Sequence, residues 1–137
     1  MNIETQIQIN ATAERVWNVF ADFEKYPEWN PFVKSLTGEV AAGRQITVVL
    51  PEMTFKPIVL RFEKNKELRW LGKLFFKGLF DGEHYFILQQ NEDNFTTFIH
   101  GENFSGLLVG LFKNKLKTDT KAGFEEMNEA LKLRVES

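Results

Sequence analysis

Ile3, Thr5, Ile7 and Ile9 alternate with Asn2, Glu4, Gln6 and Gln8 at the start of the chain. A period of two with one apolar face predicts a half-buried strand. The period then changes. Thr12 stands at an N-cap position and Val16, Trp17 and Phe20 follow at helical spacing, so a helix is predicted over 13–21. Asp22 is placed to cap a second short turn over 23–26, which Pro27 helps to end. The stretch YPEWNPF, residues 26–32, fits neither period. Pro27 and Pro31 restrict φ, and Asn30 is held extended by the proline after it, so a corner is predicted there. Trp29 is expected to pack under the helix pair as an anchor.

Beyond the corner, strand-like runs at 33–40, 44–50, 58–63, 67–73, 78–90 and 95–105 alternate with turn residues. Short strands joined this way predict an antiparallel meander. The loop 50–57, LPEMTFKP, carries Met53 and Phe55 and either borders a cavity mouth or anchors a connection. A helical period returns at 107–134, where Leu108, Phe112, Leu116, Phe124, Met127 and Leu131 form one stripe. Lys113, Lys117, Lys121 and Glu125 form the opposite face. Gly123 interrupts this helix. A mid-helix glycine costs about 1 kcal/mol relative to alanine, so Gly123 is expected to face a close neighbour. Strand, two short helices, about six strands and one long helix make an α+β domain. The long helix should lie across one curved antiparallel sheet.

The hairpin 78–90 and 95–105 carries the candidate chemistry. Alternation puts Phe80, Gly82, His84, Phe86 and Leu88 on one face, and Phe98, His100, Glu102 and Phe104 on one face of the partner. The two Phe-rich faces should match, because a slip of one residue would turn one of them to solvent. A three-residue loop at 91–93 would set His84 opposite His100, Phe86 opposite Phe98 and Gly82 opposite Glu102. Three readings of His84, His100 and Glu102 stand side by side. They are a hydrogen-bonded cluster filling a core, the polar floor of a ligand cavity, or a catalytic or metal-binding group. A buried Glu needs a partner or a raised pKa.

Composition narrows the function classes. A chain of 137 residues fits a single domain, 1–137. It has no cysteine, which excludes disulfides and thiolate sites and suits a reducing compartment. A net charge of −2 argues against a nucleic-acid partner. The opening MNIETQIQIN has neither a basic nor an apolar leader segment, and LLVGLF is far too short to span a membrane, so a cytoplasmic protein is expected. The run KNKLKTDTK reads either as a solvated helix face or as a peripheral dock for an anionic membrane or a protein partner. Phe occurs 14 times against 2 Tyr, which supplies either an ordinary core or an aromatic-lined pocket for an apolar ligand.

The segments ATAERVWNVFADFEKYPEWNPF, FDGEHYFIL, FTTFIHGENFSGLL and GFEEMNEALKLRVE, in that order, resemble the START-like (SRPBCC) superfamily. Within it they resemble the polyketide cyclase/dehydrase and lipid-transport family. The resemblance implies a helix-grip fold, in which an antiparallel sheet of about seven strands curls around the long C-terminal helix. Two short helices close one end and an apolar cavity lies between. It also implies a small hydrophobic ligand such as a lipid or polyketide. No cofactor and no metal are expected. Carried over by position, the cavity wall comprises Trp70, Phe80, His84, Phe86, Phe98, His100, Glu102, Phe104, Leu108, Phe112 and Met127. No universal catalytic residue of the family maps onto the chain. The expected function is a carrier or sensor of a hydrophobic ligand. The alternatives are a cyclase or dehydratase using His84, His100 and Glu102 as acid and base, and a protein-interaction module.

Overall fold

Eight strands, two short helices and a segmented C-terminal helix form the architecture of the residues that the computed structural model describes, 1–74 and 78–137. β1 (Asn2–Ile9) turns Ile3, Thr5 and Ile9 inward. α1 (Ala13–Phe20) starts at Thr12, whose hydroxyl accepts the Arg15 N–H at 3.3 Å, and buries Val16, Trp17 and Phe20. A 3-10 turn (Phe23–Lys25) leads into α2 (Tyr26–Trp29), with Pro27 in the first turn, where an amide hydrogen is not needed. The predicted corner follows at once. Asn30 leaves α2 in extended backbone, and its side-chain carbonyl accepts the N–H groups of Phe32 and Val33 at 3.0 and 2.8 Å. Trp29 is half-buried against Tyr26, with ring centroids 5.3 Å apart.

The described strands, against the about seven that the resemblance implies, pair as antiparallel sheets of five and three. One has the order β1-β8-β7-β6-β5, from β5 (Ile58–Glu63), β6 (Glu67–Leu74), β7 (Phe80–Gln90) and β8 (Thr96–Ser105). The other is β2 (Ser35–Thr37), β3 (Thr47–Val49) and β4 (Thr54–Phe55). Pro51 and Pro57 flank β4 and lack the donors a continuous ladder needs. A single bridge, Gln45 to Ile58, and the bond from Ile46 N to Pro57 O (3.0 Å) stitch the sheets together.

The helix expected over 107–134 is composite. A 3-10 turn (Gly110–Phe112), α3 (Lys113–Lys115) and a π turn (Leu116–Thr120) precede the regular α4 (Lys121–Glu136). The spacing of the apolar stripe explains the π turn. At about 100° per residue, Leu116 and Phe124 would point about 80° apart on a continuous α-helix. A π turn absorbs roughly one extra residue and brings them to within about 20°. Both join one apolar cluster with Ile3 and Phe104. Gly123 has the close neighbour expected of it, since a β-carbon there would sit 2.8 Å from Phe32 Cδ1.

α4 packs along β1 and β8, with α1 beside it. This is the α+β helix-grip arrangement. Its two ends are filled unequally. Trp17, Phe20, Tyr26, Phe86, Phe98, Met127 and Leu131 close one end as a continuous core. At the other end, among the described residues, Ile3, Phe104 and Phe124 are buried and Phe32, Phe80 and Leu116 partly so. Space remains there between the sheet and the helical segment. No helix among the described residues is long and apolar enough to cross a membrane.

Candidate functional site

The β7–β8 hairpin brings the chain's two histidines and Glu102 together, in a register two residues away from the expected one. His84 lies opposite Glu102, Phe86 opposite His100, Gly82 opposite Phe104 and Leu88 opposite Phe98. The reason is the turn. Asn94 takes a left-handed conformation at φ 61°, and Asn91 N donates to Phe95 O at 2.7 Å. The three-residue loop is therefore 92–94, one residue later than expected, with Asn94 supplying the positive φ such loops require. A slip of two preserves which side chains face inward and changes only their partners.

Those partners form a chain of polar contacts. Glu102 Oε1 is 3.1 Å from His84 Nδ1, and His84 Nε2 is 2.7 Å from His100 Nε2. His100 Nδ1 is 3.1 Å from Asn128 Oδ1 on α4. Asn128 Nδ2 donates to Thr5 Oγ1 at 2.8 Å, and that hydroxyl donates to the His100 carbonyl at 2.9 Å. Aromatic rings close around it. His100 stacks on Phe124 at 4.1 Å, and Phe32 and Trp70 lie 6.0 and 5.0 Å from His84. His100 is fully buried, and burial first, then the neighbouring His84 charge, hold its pKa well below the usual histidine range. Neutral imidazole is its resting form. The Glu102 side chain is 17% exposed and lies over Gly82, where a β-carbon would overlap Oε2.

Glu102 and His84 border a cavity of about 610 Å³ between β6, β7, β8 and the helical segment. Of the expected wall, Trp70, Phe80, His84, Glu102, Phe104 and Phe112 line it. Phe86, Phe98, His100 and Met127 are buried behind it, and Leu108 is half-buried away from it. Phe86 and Phe98 are taken up by Phe20 of α1, at 5.0 and 5.6 Å. His100 is covered by Phe124. The 50–57 loop, flagged as bordering a mouth, does so through Leu50 and Pro51, whereas sequence reasoning left out Pro31, Phe32, Leu116 and Gly123, all of which line the cavity. Met53 and Phe55, flagged as bordering a mouth, line it as well. Gly123 was the available signal for Phe32, since a glycine inside a helix implies something pressed against it. The exposed side chains of Glu52, Lys73, Lys115, Asp119 and Glu126 form the rim.

A larger groove of about 850 Å³ runs between β1 and α4, bounded by Glu4, Lys121, Glu125 and Glu129. It reaches neither histidine, and Glu4, Lys121, Glu125, Glu126 and Glu129 set charged side chains beside its apolar ones, Ile7, Ala130 and Leu133. Among the described residues no three His, Asp or Glu side chains converge as a metal site. The histidine nitrogens face each other, Glu102 and Asn128, which leaves none of them open to a cation.

Comparison with known proteins adds the following. The family model described as polyketide cyclase / dehydrase and lipid transport matches residues 1–136. An uncharacterised protein from Bacillus thuringiensis is similar in structure, with TM-score 0.79, 15% identity and 100% of each chain covered. A START superfamily protein from Mycobacterium smegmatis has TM-score 0.72 and 22% identity over 98% of this chain and 97% of its own. The di-domain ARO/CYC protein BexL has TM-score 0.77 and 8% identity, covering 100% of this chain and 48% of that one. At these identities the structural likeness is one of fold. A search of curated proteins returns no match.

Proposed function

The chain belongs to the polyketide cyclase/dehydrase and lipid transport family, and from that premise we propose that it binds a small, largely apolar molecule as a carrier or sensor. One observation carries the reading. A cavity of about 610 Å³ is walled by Phe32, Phe55, Trp70, Phe80, Phe104 and Phe112, and Glu102 and His84 supply its polar floor. Its size falls in the roughly 300–1,000 Å³ range of small-molecule sites. Burial of ligand surface against these rings contributes about 25 cal/mol per Å² of apolar area. The floor fixes the orientation of a polar head.

Native mass spectrometry of protein purified from its own host, with titration of the neutral fluorophore N-phenyl-1-naphthylamine, tests this. A retained small molecule and saturable 1:1 binding of the fluorophore are expected. A bare protein that takes up no fluorophore sinks the proposal.

A second reading, a cyclase or dehydratase, is favoured by the approach of His84 to Glu102 at the cavity wall, 3.1 Å apart. An acid and a base within reach of one substrate position are what such chemistry needs. In it Glu102 and His84 would touch substrate, while His100 would only position His84 from behind. Unchanged turnover of a retained compound by both His84→Ala and Glu102→Ala removes this reading.

A further inference from the structure

We propose that Glu102 and His84 jointly hold one proton, kept there by the buried His100–Asn128–Thr5 chain, and that Glu102 Oε2 selects cavity ligands bearing a hydroxyl group. The inference rests on the cavity reading above for its ligand half only. The proton half follows from heavy-atom geometry.

The direction of the chain is set at its buried end. Thr5 Oγ1 lies 2.9 Å from the His100 backbone carbonyl, an oxygen that can only accept, so the single hydroxyl hydrogen is spent there. Thr5 must then accept from Asn128, which turns Asn128 Nδ2 toward Thr5 and Oδ1 toward His100. Oδ1 also only accepts, so His100 Nδ1 carries a proton.

His100 has no exposure and rests as neutral imidazole, so its Nε2 is a lone pair. Across 2.7 Å, His84 Nε2 must therefore donate. That leaves His84 Nδ1 and Glu102 Oε1 at 3.1 Å. A bare nitrogen facing a bare carboxylate oxygen would leave two acceptors opposed. One proton lies between them, on Nδ1 as an imidazolium–carboxylate pair or on Oε1 as a neutral pair. Either way the two groups together carry no net charge.

Both placements leave Glu102 Oε2 as an acceptor. It lies over Gly82 at the cavity wall and has no hydrogen-bond partner among the described residues. A ligand meets it best with a donor on a neutral group, a phenol or an alcohol. A ligand carboxylate brings only acceptors. Among the described residues, the other charged groups of the cavity, Glu52, Lys73, Lys115, Asp119 and Glu126, stand at the exposed rim.

Two measurements test this. Long-range ¹H–¹⁵N correlation with labelled histidine should show His100 protonated at Nδ1 only and His84 protonated at Nε2. The shared proton should show on His84 Nδ1 or, by carboxyl ¹³C shift, on Glu102. In Glu102→Gln, whose amide donates to Nδ1 in its place, His84 should become neutral with Nε2 still protonated. His84 Nε2 without a proton, or both Nδ1 and Glu102 bare, overturns the proton assignment.

Separately, 2-naphthol should bind at least about tenfold more tightly than 2-methoxynaphthalene, and Glu102→Ala should erase the difference. Equal binding of the two by the wild type overturns the hydroxyl selection and leaves the cavity reading intact. Binding of neither rejects the cavity reading and the selection with it, while the tautomers still judge the proton.

Discussion

His100 makes the stability of this protein sensitive to mild acid. The ring is fully buried, and burial, with the His84 charge beside it, keeps its folded-state pKa well below the ordinary histidine range. In the unfolded chain the same ring takes up a proton near pH 6.5. The folded pKa lies below the unfolded one, so the stabilisation is fully present above the unfolded pKa and is lost as the pH falls through it. The slope is about 1.4 kcal/mol per pH unit once the unfolded chain is protonated and the folded one is not. For a ring that stays neutral in the folded protein down to pH 5, the loss from roughly pH 7.5 sums to about 2 kcal/mol, a sizeable part of a typical total of about 5–15 kcal/mol. Glu28 and Glu136, whose pKa values are lowered by hydrogen bonds, fall below 4.5 and act outside this window. Urea unfolding across that range, in wild type and in His100→Phe, is the assay. The variant should be less stable near neutrality by about 1–3 kcal/mol, because Asn128 Oδ1 and His84 Nε2 lose their partner. Its stability should nevertheless stay flat where the wild type declines. An equally steep decline in the variant would refute the argument.

Two further substitutions probe the packing. Gly123→Ala gains helix propensity of about 1 kcal/mol but drives a methyl into Phe32, where overpacking costs about 1–3 kcal/mol. A lower urea midpoint is expected, and a higher one would mean that Phe32 does not press on α4. Gly82→Val places its side chain where Glu102 Oε2 now lies, so Glu102 should leave His84. Binding of 2-naphthol should weaken by about tenfold or more, and titration by intrinsic Trp fluorescence reads it directly; unchanged affinity would show that the ligand does not sit over Gly82.

The sequence alone carried the fold class, the element order and the inward faces of β7 and β8, because each depends on residue parity or helical period. A two-residue slip of the hairpin leaves parity untouched, so His84, His100 and Glu102 were placed on one face correctly although their partners were not. Which residue met which depended on one left-handed residue, Asn94, whose position in the loop no alternation reports. Gly123 announced a close neighbour, but only the path of the chain through Asn30 and Pro31 brought Phe32 to it. The composite helix was also hidden, since a stripe spaced by four reads as helical until its drift against Phe124 is counted. The division of the Phe-rich face was decided by tertiary packing. Phe86 and Phe98 are covered by Phe20 of α1, whereas Phe80 and Phe104 face the cavity beneath the segmented C-terminal helix. Residues identical in the pattern thus became core or cavity wall according to what the rest of the chain laid across them.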